Sequence, residues 1–123
     1  PEEIKACIQA VREFYPGRKV SGIFQPHLYS RTKDLAKEFA ASLDQLDEVL
    51  LLEIYPAREE PVEDVSSELI LKRIKNPNKR LIDKSDLTDI IGKMDLEVLV
   101  TMGAGDIDQL VDKIEQKLKD LKK

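Results

Sequence analysis

His27 is the only histidine in this 123-residue chain, and Arg31 stands four positions after it. Leu28, Tyr29 and Ser30 lie between them, directly behind Pro26. An imidazole donates or accepts a hydrogen bond and titrates near neutral pH. A guanidinium grips a carboxylate or phosphate through a planar, two-pronged fork. Together these groups suit the holding of an anion. Ser30 reads as the N-cap of a helix, which puts Arg31 in the first turn. The positive end of the macrodipole disfavours a cation there, so an anionic partner would explain the placement. The structural alternative is a surface ion pair with Asp34 or Glu38, worth about 0–1 kcal/mol.

Two further segments offer polar groups after apolar runs: Tyr55 to Glu60, and Gly103 to Asp106. The Tyr55 phenol can donate into a cleft, or simply be a half-buried strand tyrosine. Glu59 and Glu60 read as solvated loop charges rather than acid/base groups. Gly103-Ala104-Gly105 suits a tight turn that lets a ligand approach the backbone. As a nucleotide motif it is incomplete. The three-glycine spacing is absent, and Asp106 at the following helix start would repel a phosphate. No Walker-type phosphate loop occurs in the chain. One cysteine and one histidine do not make a zinc site, so no metal-ligating residue is assigned. Cys7 falls on an apolar stripe and reads as core.

Elements that could position these groups follow from hydrophobic period. Ile4, Cys7, Ile8, Val11 and Phe14 share one helical stripe, predicting a helix over Glu2 to Tyr15 that Pro16-Gly17 ends. A strand is expected over Val20 to Gln25. A helix from Arg31 to Leu46 follows, with Leu35, Ala36, Phe39, Ala40 and Leu43 inward. Val49 to Leu52 is a continuous apolar run, as in a strand covered on both faces, and extends to Tyr55. A third helix is expected from Ser66 to about Lys75 and a short strand over Arg80 to Asp83. A fourth helix, capped by Ser85, carries Leu87, Ile90, Ile91 and Met94. Glu97 to Thr101 is the fourth strand. Asp106 with Gln109 resembles a capping box for a last helix from Ile107 to about Leu121.

Helices alternating with apolar strands predict an α/β fold: a Rossmann-like, three-layer domain with a mainly parallel sheet flanked by helices. The pattern opens on a helix, which leaves room for a first strand before Pro1. In such sheets ligands bind beyond the carboxyl ends of the strands, where all three polar segments would meet. The length suits one domain. Twenty basic and twenty-four acidic residues give a net charge of -4, and no basic stripe is interleaved with aromatics, which argues against nucleic acid. The apolar runs are far too short to span a membrane. A single cysteine fits a reducing compartment.

Three segments, FQPHLYSRTKDL from Phe24, EIYPAREEP from Glu53 with VSSE after it, and VLVTMGAGDI from Val98, carry a resemblance. Jointly, in this order and spacing, they resemble the C-terminal domain of the Mur ligases of bacterial peptidoglycan synthesis, at the branch that adds L-alanine. The resemblance covers nearly the whole chain. Pro1-Glu2-Glu3-Ile4 is similar to the residues just after that family's Asp-Tyr-Gly-His-His-Pro segment, so the chain reads as one domain of a cytoplasmic three-domain enzyme. It implies an N-terminal domain for the UDP-sugar and a central domain for ATP and Mg²⁺. It further implies an interdomain site that joins L-alanine to UDP-N-acetylmuramate through an acyl phosphate, with this domain inactive alone. By carry-over, His27, Tyr29, Arg31, Tyr55, Gly103 and Asp106 would line the amino-acid side. Many members carry arginine where this chain has Leu28, and Arg58 is a candidate compensating cation. A stand-alone α/β small-molecule-binding or regulatory module stays open, as does the related murein-tripeptide recycling ligase.

Overall fold

A computed structural model of the chain describes residues 2–55, 59–94 and 96–103, with Lys84 described by its backbone only. The first helix, α1, spans Glu2–Phe14, with Glu2 and Glu3 complementing its N-terminal dipole. Strand β1 covers Val20–Gln25, helix α2 Tyr29–Leu43 and strand β2 Glu48–Leu51. A single helical turn, α3, spans Glu68–Leu71, and β3 spans Lys79–Leu81. A 3-10 turn over Lys84–Asp86 leads into α4, Leu87–Lys93, and β4 runs over Val98–Gly103. The four strands are all parallel, in the order β3-β2-β1-β4. This is the helix-flanked parallel α/β sheet expected from the sequence.

Strand alternation sorts the core into two layers. Val20 and Phe24 of β1, with Val49 and Leu51 of β2, meet Ile4 and Ile8 of α1, Phe39 and Leu43 of α2, and Ile70 of α3. Ile23 and Leu50 point the other way, against Ile82 and the Leu87 and Ile91 of α4. Every residue of β1 is buried, because helices cover both faces of this central strand. Gly22 lies so close under Leu46 that an added Cβ would come within 2.5 Å of its Cδ1. The amino ends of the strands are locked by polar side chains. Asp47 accepts the Val20 amide at 2.7 Å, and Asp44 accepts those of Lys75 and Asn76 at 2.9 and 3.0 Å.

Four local expectations are corrected. Phe14 is 81% exposed, since α1 stops there and turns away through Gly17, whose φ is +77°. Helix α2 begins at Tyr29, so Ser30 lies inside the helix and is not its N-cap; Leu28 occupies that position without a side-chain cap. The helix expected up to Lys75 is confined to Glu68–Leu71. Ser85 lies in the 3-10 turn, and Asp86 takes the N-cap position of α4. The capping box at Asp106 and the last helix lie outside the described residues.

Candidate functional site

The carboxyl ends of β2, β1 and β4 lie side by side, which brings Tyr55, His27 and Gly103 to one edge of the sheet. Gln25 is paired with Gly103 across β1 and β4. Beyond the strands proper, His27 and Tyr55 form an isolated parallel bridge. The Leu28 amide donates to the Tyr55 carbonyl at 2.9 Å, and the Tyr55 amide to the Pro26 carbonyl at 2.8 Å. The sheet is thereby prolonged past the breaker Pro26, which lacks an amide but keeps its acceptor. The His27 and Tyr55 rings stack with centroids 5.9 Å apart and planes inclined by 20°. His27 is therefore held in orientation by its neighbour.

The turn into α2 has an unusual backbone. Leu28 has φ +67° and ψ 136°, a conformation that L side chains rarely adopt and that costs about 1–3 kcal/mol. Its amide is engaged by Tyr55, while its carbonyl accepts the Thr32 amide at 3.1 Å and the Thr32 hydroxyl at 2.9 Å. These bonds fix the peptide units on either side and leave the strained dihedral no escape. Two consequences follow: the helix starts two residues earlier than expected, at Tyr29, and Arg31 falls in its first turn, lining the same cavity as His27.

The first turn of α2 is capped from a distance. Glu59, 29 residues onward, accepts the Ser30 hydroxyl on Oε2 at 2.6 Å and the Ser30 amide on Oε1 at 3.2 Å. The Ser30 hydroxyl, then the Ser30 amide, hold the Glu59 carboxyl below the ordinary glutamate range, and the nearby His27 adds to this. Glu59, read from the sequence as a solvated loop charge, is thus tied to the helix start. No local pattern announces it; only its place a few residues past a strand end hints at it.

A cavity of about 450 Å³ opens at this edge. Its walls include Cys7 of α1, Gln25 and His27 from the end of β1, Arg31 of α2 and Gly103 of β4, over Phe39 and Met102. Gly103 has φ +121°, and a Cβ there would collide with the Gln25 backbone, so the close approach of β4 to β1 requires glycine. Arg31 is exposed, and among the described residues no ion pair involves it, so the alternative pairing with Asp34 or Glu38 is not formed. Gln25 is only 4% exposed, and its Oε1 is buried without a hydrogen-bond partner among the described residues. A buried carbonyl oxygen without a partner is costly, and no residue pattern signals it. Cys7, expected in the core, packs against it but is only partly buried and reaches the cavity wall.

His27, Arg31 and Gly103 are therefore brought to one cavity, with Tyr55 stacked behind His27. Tyr29 opens α2 in the same loop but is not among the cavity's lining residues. Asp106 and Arg58 lie outside the described residues. Among the described residues, no group of three or more His, Cys, Asp or Glu side chains is placed to hold a metal ion. No described helix is long and apolar enough to cross a membrane. An exposed cation and an imidazole stacked on Tyr55 stand together at a parallel sheet's carboxyl edge, groups whose chemistry can hold a small anion.

The family model for the glutamate ligase domain of Mur ligases matches residues 1–117. A UDP-N-acetylmuramate–L-alanine ligase of Flavobacterium psychrophilum is 53% identical over 118 residues, covering 96% of this chain and 26% of its own. That of Porphyromonas gingivalis is 53% identical over 122 residues, covering 98% of this chain and 27% of its own. That of Parabacteroides distasonis is 51% identical over 116 residues, 94% of this chain and 25% of its own. The chain thus spans about a quarter of the length of the curated relatives it matches. Matched over nearly all its length, the chain belongs to the Mur ligase family and corresponds to its glutamate ligase domain.

Proposed function

We propose that this chain is the C-terminal, amino-acid-binding domain of a cytoplasmic ATP-dependent ligase that joins L-alanine to UDP-N-acetylmuramate in peptidoglycan synthesis. The observation that carries the reading is the 53% identity over 96% of the chain to a ligase of that name. The cavity at the strand ends supports it, being small and cationic on one side. The N-terminal and central domains of the same polypeptide, in this reading, hold the UDP-sugar and the ATP. In that reaction the muramoyl carboxylate would take the terminal phosphoryl group of ATP, with ADP as leaving group and Mg²⁺ supplying charge neutralisation, and the L-alanine amine would then displace phosphate and lose a proton to give the amide.

The contribution of this chain is to place the amine. Arg31 binds the α-carboxylate of L-alanine through its fork. His27, steadied by Tyr55, donates a hydrogen bond to the same carboxylate or to the reacting carboxyl group. The Tyr55 hydroxyl donates from behind, Tyr29 flanks the loop, and the Gly103–Asp106 turn closes the opposite side. Arg58 compensates for the arginine that Leu28 replaces. Negative charge gathers on oxygen in both chemical steps, so fixed donors lower the barrier and positioning of the amine lowers it further. The site is shared between domains, so the isolated chain is inactive.

The test is L-alanine-dependent phosphate release by the full polypeptide that carries this chain, with ATP, Mg²⁺ and UDP-N-acetylmuramate. Activity with L-alanine, and a large loss of kcat/KM for it in Arg31→Ala, is the expected result. Wild-type activity untouched by the substitution would return Arg31 to the surface. Absence of L-alanine-dependent release from a folded polypeptide would overturn the ligase reading.

A further inference from the structure

We propose that Glu59 is a positioning residue for the amino-acid site, acting as a helix cap supplied from another loop. The inference rests on the ligase reading for what the site binds. The first turn of an α-helix leaves amides without intrahelical partners, and a side chain at the N-cap ordinarily serves one of them. Leu28 cannot do so, having no polar atom, and no side-chain cap is present at that position. Glu59 takes over, with one carboxylate oxygen on the Ser30 amide and the other on the Ser30 hydroxyl. Its negative charge also sits at the positive end of the α2 dipole.

The consequence reaches the cavity through the chain itself. Ser30 is the covalent neighbour of Arg31, and His27 lies three residues before Ser30. The loop from Pro26 to Ser30 is thus anchored at two points. One is backbone pairing with Tyr55, and the other is the Ser30–Glu59 contact. Both anchors come from the single segment that leaves β2. With the second anchor removed, the strained Leu28 can relax and the first turn of α2 can fray, carrying Arg31 out of register with His27. Glu59 need not touch L-alanine; it sets where Arg31 does.

The experiment compares Glu59→Ala, Glu59→Gln, Ser30→Ala and the double variant Ser30→Ala with Glu59→Ala in the full polypeptide. For Glu59→Ala the KM for L-alanine should rise about tenfold, as expected of a lost helix cap beside the site. The KM values for ATP and UDP-N-acetylmuramate should be unchanged, which a general loss of folding would not reproduce. Glu59→Gln keeps one carbonyl oxygen and should recover part of the loss. The double variant should be no worse than Glu59→Ala alone, since the two residues form one contact. Amide hydrogen exchange provides the second readout: Ser30 and Arg31 amides should exchange faster in Glu59→Ala. Unchanged exchange there would overturn the cap regardless of activity. Faster exchange with an unchanged L-alanine KM would overturn the positioning role while leaving the ligase reading intact. A wild type inactive with L-alanine would overturn the ligase reading, and exchange would still decide the cap.

Discussion

Two strand-to-helix crossings in this molecule use the same residue types in opposite ways. After β3, Asp83 accepts the Ser85 amide at 2.9 Å and the Ser85 hydroxyl at 3.0 Å, both on Oδ1. After β1, Glu59 accepts the Ser30 amide and hydroxyl, from 29 residues away. In each case a carboxylate receives the N–H and O–H of one serine at the start of a helical segment. The first is a local turn motif between residues two apart in sequence. The second joins two loops at the edge where the cavity opens. Equal chemistry therefore does different work: separation in sequence turns a turn signal into a device that couples the ends of β1 and β2.

The largest expected difference concerns Arg31, the cation that lines the cavity. Arg31→Ala should lower kcat/KM for L-alanine about a hundredfold, as for a lost charge-stabilising donor. Removing Lys93, at the far end of α4, should leave it unchanged. Steady-state kinetics on both variants measure the contrast. Next comes the pair of carboxylates. Asp83→Ala should cost about 1 kcal/mol of stability in denaturant unfolding without altering the L-alanine KM. Glu59→Ala should do the converse in kind, raising that KM as described above. A KM shift in Asp83→Ala would erase the distinction between the crossings.

A smaller effect is expected at Leu28, whose positive φ has no counterpart after β3 among the described residues. Glycine accepts this backbone without strain but adds about 0.5–1 kcal/mol of unfolded-chain entropy. Leu28→Gly should therefore leave the melting temperature unchanged or slightly raised, while the L-alanine KM increases as the loop loosens. A clear fall in Tm would show that the side chain's packing outweighs the strain.

The smallest effect is a dependence on pH. The Glu59 carboxyl is held below its ordinary value by the Ser30 hydroxyl and amide. A depressed acid stabilises the native state above its unfolded pKa, and that contribution is lost as pH falls through the lower folded value. The stability gap between wild type and Glu59→Gln should be full at neutral pH and vanish in acid below that value. Urea unfolding at several pH values reads it directly. A gap that widens in acid would contradict the sign.

Much of the architecture was legible from the chain alone. The apolar run Val49–Leu52 could only be a strand covered on both faces. The stripe Ala36, Phe39, Ala40 and Leu43 could only face a core. Both are short-range periodicities that the backbone geometry of strand and helix imposes on residues near in sequence. The same local signals brought His27 and Arg31 into one loop and placed that loop at a carboxyl edge.

Local signals failed where a distant group won. Ser30 reads as an N-cap until Tyr55 takes the Leu28 amide and moves the helix start by two residues, to Tyr29. Phe14 completes a helical stripe, yet the helix ends where the stripe would turn inward. The stacking of His27 on Tyr55, the clip from Glu59 to Ser30 and the Gln25 Oε1 left without a partner among the described residues have no sequence period at all. The amino-acid sequence by itself determined the order of elements, the parallel sheet and a polar loop with His27 and Arg31 at its carboxyl edge, because those follow from burial and dihedral preference between neighbours. Only the tertiary structure decided how that loop is held, because its partners become neighbours when β2 is laid against β1 and not before.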